Sequence, residues 1–438
     1  MKKKSRFVSL CAALALTTTL AACGGGDNGN ESAAPSGSGE SGQQDIKLKF
    51  VSWWSYLKPE HLQVFEEENP GIRIDYEYVP PGDSYFNKIK ALSASNELPD
   101  VFATQDANFD SLAKAGEILD LTEALGTPAY DKEASWRDTI NPVLMSSLAN
   151  QLSAEADAAN HAWGVPFGAV SVVVVYNKTM FDELGISAPT TWEQFEQNNE
   201  KIKAAGNIPM SFNGKLGWNK WWYEYLLDQT IRDVKPEDYA SGAAKLTDPG
   251  VVEAFDKIKQ MWDDGVFDPG GFTNGPEETQ ALFVQQKLAQ YMVVPENFVK
   301  YLTENMPEGI EIGAYALPGY KGLTPNRAIG GASNVAVVSA KSKHQEAAIK
   351  FAKFLTSEKL YQLLSSENVV PSTIGYQPPE GDLIMGAFAE AIEGGFTEPH
   401  IPSGPVSEQA LKDAMAQILL NNVPTADALA EAQKKIDK

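Results

Sequence analysis

Ile46-Lys47-Leu48-Lys49-Phe50-Val51 alternates apolar and polar side chains, which is typical of a β-strand with one buried face. Residues 59–68 then have the spacing of a helix, and the alternation returns over residues 72–79. A second helix over residues 85–96 leads to Pro99-Asp100-Val101-Phe102, the start of a buried third strand. Strands that alternate with helices in this way predict an α/β lobe with a largely parallel sheet.

The rest of the chain continues the same alternation. A helix is predicted over residues 112–118, and the Val-rich residues 172–176 predict another buried strand. Thr191 is a candidate N-cap for the helix that follows it, and residues 248–262 form the clearest amphipathic helix. Further helices are predicted over residues 345–355, 358–364, 407–420 and 425–436. A folded part of this length predicts two lobes rather than one.

The N-terminal segment is predicted to be a signal and not part of the fold. A short cationic stretch precedes an apolar run over residues 7–20, too short to span a bilayer comfortably. The run ends in Leu20-Ala21-Ala22-Cys23, which resembles the bacterial lipobox. Residues 1–22 are therefore predicted to be a lipoprotein signal peptide, with a diacylglyceryl anchor on Cys23. An ordinary signal peptide with a chance cysteine is the alternative.

The anchor is predicted to hold the protein on the extracytoplasmic face of the cell membrane. Residues 23–44 are rich in Gly, Ser and Asn and lack apolar periodicity, so they are predicted to form a flexible linker. Cys11 lies in the segment that is removed, which leaves no disulfide and no thiol chemistry in the mature chain.

Composition and motifs exclude several classes of function. The formal net charge is −22 at pH 7, which argues against nucleic acid as a partner because phosphates would be repelled. No cofactor or metal is expected, because the four histidines have no ligand spacing and no nucleotide-binding or nucleophile motif is found. Those histidines are His61, His161, His344 and His400.

Four groups of residues keep a common order along almost the whole mature chain. They are Leu98-Pro99-Asp100-Val101-Phe102 with Phe109-Asp110-Ser111-Leu112-Ala113-Lys114-Ala115-Gly116; Gly164-Val165-Pro166-Phe167 with Tyr176-Asn177-Lys178; Ala188-Pro189-Thr190-Thr191-Trp192-Glu193; and Lys341-Ser342-Lys343-His344-Gln345-Glu346-Ala347-Ala348. Each alone is common, but their shared order is specific. Together they resemble the family 1 extracellular solute-binding proteins, the maltose-binding-like group that serves ABC importers.

This resemblance implies a periplasmic-binding-protein-like fold, in which two α/β lobes are joined by crossing strands and a solute lies between them. The crossings would fall near residues 167–170 and 329–334, with a third near Pro371. The N-lobe would comprise residues 45–167 and 334–371, and the C-lobe residues 168–333 and 372–438. The implied partners are a carbohydrate and the permease subunits of an ABC importer, and the chain is expected to act as a monomer.

A carbohydrate site needs aromatic rings for the apolar faces of a sugar and polar side chains for its hydroxyls. Trp53 and Trp54 follow the first strand, at the end of the sheet where α/β proteins bind ligands. Alternation turns one of them inward, so one is a candidate platform and the other a candidate core residue. Asp106 stands where family members carry a hydroxyl-binding acid, although it could instead cap the next helix. Three further candidates lie at the crossings: Phe167, Ser333 and Asn334.

The densest aromatic stretch of the chain covers residues 213–225. Trp218, in a Gly-rich loop, and Trp221, at the start of the next helix, are candidates for stacking on a sugar. Four other aromatic residues have spacing that favours packing in the core: Trp192, Trp222, Tyr225 and Trp262.

Two positions depart from the family pattern. Pro295 and Glu296 stand where members often carry a glycine and a stacking aromatic residue, so Glu296 and Asn297 are candidates to bind hydroxyls instead. Ser407-Glu408 stands where some oligosaccharide binders carry a tryptophan. Both departures weaken an assignment to maltodextrin.

The resemblance thus implies a binding protein for a carbohydrate, an oligosaccharide or small glycoside, and not an enzyme. A secreted glycosidase is the alternative, because it also needs aromatic platforms and paired carboxylates. A binding protein for a polyol, phosphodiester or metal complex is the other, although few Arg or Lys residues lie near the candidate loops.

Overall fold

The computed structural model describes residues 45–215, 217, 219–294, 297–323, 326–332, 334–402 and 405–437. The predicted signal peptide, Cys23 and the linker therefore lie outside the described residues. Within the described ranges, no helix combines the length and the apolar character that crossing a membrane requires.

The strands and helices alternate through most of the described chain. The strands are β1 (Ile46–Ser52), β2 (Ile72–Tyr78), β3 (Val101–Thr104), β4 (Val165–Pro166), β5 (Val170–Ser171), β6 (Val173–Asn177), β7 (Ile208–Met210), β8 (Leu288–Val293), β9 (Ile312–Tyr315), β10 (Gly330–Gly331) and β11 (Val335–Val338). The helices are α1 (Pro59–Glu68), α2 (Asp83–Ala94), α3 (Asp106–Lys114), α4 (Thr122–Leu125), α5 (Trp136–Thr139), α6 (Pro142–Ala149), α7 (Lys178–Glu183), α8 (Trp192–Ala204), α9 (Lys220–Thr230), α10 (Pro236–Ala240), α11 (Pro249–Asp263), α12 (Pro276–Val284), α13 (Asn297–Asn305), α14 (Gln345–Leu355), α15 (Glu358–Leu363), α16 (Leu383–Glu393), α17 (Pro405–Leu420) and α18 (Thr425–Ile436).

Most predicted elements are confirmed to within two residues, but the helix over residues 112–118 is wrong. Helix α3 begins earlier and ends at Lys114. Gly116 has a φ of +65°, its N–H bonds to the Ala113 carbonyl, and the N–H of Glu117 bonds to the Leu112 carbonyl. This pair of bonds is the Schellman motif, which ends a helix at a glycine because a glycine adopts positive φ without strain.

The first lobe is built on a five-stranded sheet with strand order β2-β1-β3-β11-β4. Strand β1 pairs in parallel with β2 and with β3, as the alternation predicted. Strand β11 is antiparallel to β3, because the chain returns to this sheet from the second lobe. Helix α14 packs on the sheet, and Phe351 lies edge-on to Phe50 with ring centroids 5.1 Å apart.

The second lobe is built on a four-stranded sheet with strand order β7-β8-β6-β9. Strands β7 and β8 are parallel, and β6 is antiparallel to both of its neighbours, β8 and β9. Helix α16 packs on β9 and β6, and helices α9, α11, α17 and α18 pack together as a helical layer. The side chain of Thr191 caps α8 by accepting a hydrogen bond from the N–H of Gln194, as the sequence predicted.

Two short strands connect the lobes. Strand β5 pairs antiparallel with β10, so that Gly330 lies opposite Ser171 and Gly331 opposite Val170. The backbone of Gly330 has a φ of +135°, and a Cβ atom there would overlap the Val170 carbonyl oxygen. Only a glycine fits this crossing. Ala169 also bridges to Val370, next to the third predicted crossing. The predicted lobe borders near residues 167, 333 and 371 stay a prediction.

Candidate functional site

Strand register brings three of the predicted site residues, Trp53, Phe167 and Asn334, to one edge of the first sheet. Strands β1 and β3 are parallel, so the residues that follow them, Trp53 and Gln105, leave the sheet at the same edge. Strand β11 begins at this edge, because Val335 pairs with both Thr104 and Pro166. Asn334 therefore lies beside the end of β3, and the segment that follows β4, starting with Phe167, begins there as well.

Trp53 is half-buried and held on several sides. Its indole Nε1 donates a hydrogen bond to the side-chain oxygen of Asn334 at 3.0 Å. Its ring meets Tyr85 nearly perpendicularly, with centroids 4.7 Å apart, and lies 5.7 Å from the ring of Phe86. Asn334 itself is only 6% exposed. The result is an anchored aromatic ring that keeps part of its surface at the sheet edge.

Trp54 and Phe167 are buried against each other. Their exposed fractions are 1% and 0%, and their rings stack with centroids 3.9 Å apart and planes 13° from parallel. Tyr56 extends this stack on Phe167, with centroids 6.0 Å apart. In this conformation neither Trp54 nor Phe167 has a face that a solute can reach. Of the two neighbouring tryptophans, Trp54 is thus the one that points into the core.

The second sheet brings its own predicted segments to a common edge. Strands β7 and β8 are parallel, so the residues that follow them, Ser211 and Val294, leave the sheet at the same edge. Trp221, at the start of α9, is buried with 9% of its surface exposed. Trp222 and Tyr225 are buried at 1% and 2%, as the spacing predicted. Strand β6 begins at this edge directly after the crossing strand β5, so the edges of both sheets adjoin the crossing strands.

Several predicted site residues have no described side chain. Asp106 and Asn297 begin helices α3 and α13, and nothing further is described for either side chain. Trp218, Glu296 and Ser333 lie outside the described residues. Their proposed roles in binding, like those of the residues described above, stay predictions.

One carboxylate connects the two lobes. Glu367, in the first lobe, accepts a hydrogen bond from Lys58 Nζ at 2.6 Å, and its other oxygen lies 3.7 Å from Lys300 Nζ on α13 of the second lobe. The hydrogen bond from Lys58 holds the pKa of Glu367 below its ordinary value, although partial burial acts in the opposite direction. The side chain therefore stays ionised and pairs with a lysine from each lobe.

Asp228, a buried carboxylate, contacts side chains from three segments of the second lobe. Asp228 is fully buried and contacts Arg232, Arg327 and His400 at 2.6, 3.4 and 3.2 Å. Burial by itself raises the pKa of Asp228, but the hydrogen bonds from His400 and Arg232 outweigh it and leave the pKa below its usual value. A buried carboxylate with this many donors is a structural polar cluster, and its loss would leave the half-buried guanidinium groups of Arg232 and Arg327 without this partner.

A cavity of about 260 Å³ lies between α16 and the adjoining edge of the second sheet. Its walls are polar and apolar in about equal measure, and charged side chains from α16 and from the segment before β10 contribute to its lining. Its described lining includes none of the predicted site residues. Representative lining residues are Val172, Tyr225, Met292, Arg327, Glu390 and Glu393.

Sequence reasoning missed one aromatic residue at the first sheet edge. Tyr78 ends β2 directly opposite Ser52 and is 44% exposed, so it lies on the same edge as Trp53. The signal that could have found it is the one used for Trp53, an aromatic residue where a parallel strand ends. Within the described ranges, no cluster of three or more His, Cys, Asp or Glu side chains could hold a metal ion.

Two α/β lobes joined by crossing strands, with aromatic and amide side chains at the edge beside the crossings, define a two-lobed binding protein. The sequence model of the bacterial extracellular solute-binding proteins matches residues 48–362, and the chain belongs to this family. The resemblance found in the sequence is thereby confirmed.

Individual relatives agree with this assignment. The chain is 27% identical over 312 residues to the multiple sugar-binding protein of Streptococcus mutans, covering 69% of this chain and 68% of that one. It is 25% identical over 357 residues to the diacetylchitobiose binding protein DasA of Streptomyces coelicolor, covering 80% and 78%. The structure of the sugar-binding protein MalE from Xanthomonas citri has the same fold, with a TM-score of 0.74 and 19% identity over 90% of this chain and 96% of that one.

Proposed function

We propose that this protein captures a carbohydrate, an oligosaccharide or small glycoside, between its lobes and delivers it to the permease of an ABC importer. The observation that carries the proposal is the Trp53 ring, anchored by Asn334 and part-exposed beside the crossing strands. An aromatic face beside hydrogen-bonding groups suits a sugar, which has apolar C–H faces and a rim of hydroxyls. The sugar-binding names of two relatives support the same class of solute.

Binding is proposed to leave the sugar chemically unchanged. Family membership supports this, because the family is defined by solute binding and not by a reaction. The importer would recognise the arrangement that the two lobes adopt around the bound sugar.

A glycan screen tests this function directly. The chain without its signal peptide is heated alone and with raffinose, stachyose, maltotriose or diacetylchitobiose, and its melting is followed. A sugar at one hundred times its Kd stabilises the folded state by about 2.7 kcal/mol, so at least one oligosaccharide is expected to raise the melting temperature by several degrees. Chromatography of the same mixture is expected to recover the sugar intact. No shift with any glycan would contradict the carbohydrate assignment, and a hydrolysis product would favour the glycosidase instead.

We further propose that Cys23 carries the lipid that holds the protein beside its importer, with residues 23–44 as the tether. When the full chain is made in a bacterium fed an alkyne-tagged palmitate, the protein is expected to take up the label. Cys23→Ala should abolish labelling, because the thiol is the attachment point, whereas Cys11→Ala should leave it intact. In-gel fluorescence measures both variants. Label that persists in Cys23→Ala would rule out this anchor.

A further inference from the structure

The contact between Trp53 and Asn334 joins residues that are 281 positions apart in the chain. The indole N–H can only donate a hydrogen bond, so the oxygen of the Asn334 amide must face it. A ring nitrogen held at 3.0 Å restricts rotation about the side-chain torsions of Trp53. The neighbouring rings of Tyr85 and Phe86 add contact area, but edge-on aromatic contacts are weakly directional.

Asn334 is itself held firmly. The backbone carbonyl of Asn334 accepts a hydrogen bond from the backbone N–H of Phe167 at 2.7 Å, and this bond joins the first and second crossings. The next residue, Val335, pairs with strands on both sides. Two residues earlier, the backbone carbonyl of Ala332 accepts a hydrogen bond from the side-chain amide of Gln151 at 2.7 Å. The backbone that carries the Asn334 amide is therefore held in place relative to both crossings.

We propose that Asn334 is a positioning residue, which sets the plane of the Trp53 ring for stacking on a sugar and links that ring to the crossing strands. This inference rests on the proposed function, because it assumes that Trp53 stacks on the solute. Asn334 acts through Trp53, and the link works in both directions: a solute that orders the ring also favours the arrangement of the crossings that holds it.

The contact is tested first without any solute. In ¹⁵N-labelled protein, Trp53→Phe identifies the indole N–H resonance of Trp53 because that signal disappears. Asn334→Ala is expected to move this resonance and speed its exchange with water, since the acceptor is lost. Asn334→Asp keeps an oxygen acceptor and should restore slow exchange. An indole signal that is identical in the wild type and Asn334→Ala would overturn the inference.

Affinity for the panel oligosaccharide that gives the largest melting shift is then measured by calorimetry in a double-mutant cycle. Trp53→Phe keeps an aromatic ring without the N–H, and Asn334→Ala removes the acceptor. Each is expected to weaken binding about three- to tenfold, which corresponds to the loss of one hydrogen bond. The double variant should bind about as weakly as the weaker of the two single variants, because both changes remove the same interaction.

The outcomes separate this inference from the proposed function. If the wild type binds the oligosaccharide and Asn334→Ala binds it equally well, or if the two losses multiply in the double variant, the positioning role is wrong and the proposed function stands. If the wild type binds no panel glycan, the proposed function fails, and the indole resonance still decides whether Asn334 orients Trp53.

Discussion

Trp53→Ala is expected to weaken binding of the panel oligosaccharide by about thirtyfold or more, corresponding to about 2 kcal/mol. The variant removes the part-exposed ring at the first sheet edge and the donor to Asn334 together. The cost in folding free energy should be smaller, about 1 to 2 kcal/mol, because the ring is only half-buried. The change is therefore predicted to affect binding more than stability.

Calorimetry of the wild type and Trp53→Ala measures this effect, with urea unfolding of both proteins alongside. Trp163→Ala is a matched control, because Trp163 is also half-buried and also donates one indole hydrogen bond, to the Ala156 carbonyl at 2.6 Å. It lies before β4, whose other end leads to the site. Equal affinities for the wild type and Trp53→Ala, or an equal loss in Trp163→Ala, would refute the stacking role.

Phe167→Ala is expected to lower the free energy of unfolding by about 3 to 5 kcal/mol, the usual range for truncating a buried aromatic residue. The ring of Phe167 is fully buried, it stacks on Trp54 and Tyr56, and the ring of Tyr361 lies 6.0 Å away. Removing it opens a cavity where the first crossing leaves the first sheet. The surrounding rings are rigid, so they cannot collapse to fill that space.

Urea unfolding followed by circular dichroism checks this prediction. Phe167→Leu serves as the comparison, because it keeps most of the apolar volume and should cost about 1.5 kcal/mol or less. Calorimetry of Phe167→Leu then separates the two roles considered for this residue. Near-normal affinity supports a core role, whereas a large loss of affinity in a stable protein would restore Phe167 as a residue that contacts the solute.

Much of the fold could be predicted because its signals are local. The alternation from Ile46 to Val51 is a strand in the structure, and the predicted helix over residues 59–68 has the same bounds. Each pattern arises because one face of its element is buried, so the residues of that short stretch are enough to predict the element. The wrong helix over residues 112–118 is also instructive, since its apolar spacing continues past Lys114 while Gly116 turns the backbone away.

The candidate site could be predicted only in part. The rule that ligands bind where parallel strands end pointed to Trp53, Trp54 and the segment after β3. It could not say which tryptophan faces outward, and it overlooked Tyr78, which ends β2 at the same edge. Nor did it suggest Glu367, which reaches Lys58 across 309 positions of sequence and also faces the second lobe.

The sequence by itself determined the class of protein. The features that indicated it are the alternating strands and helices, the family segments in their shared order, the predicted signal, and the aromatic residues that follow strands. Tertiary structure decided which of these residues act together. It placed Trp54 on Phe167 in the core and brought the amide of Asn334 to Trp53. The physical reason is that local patterns specify a period and a buried face, whereas contacts between remote residues depend on strand register and on where the chain crosses between lobes.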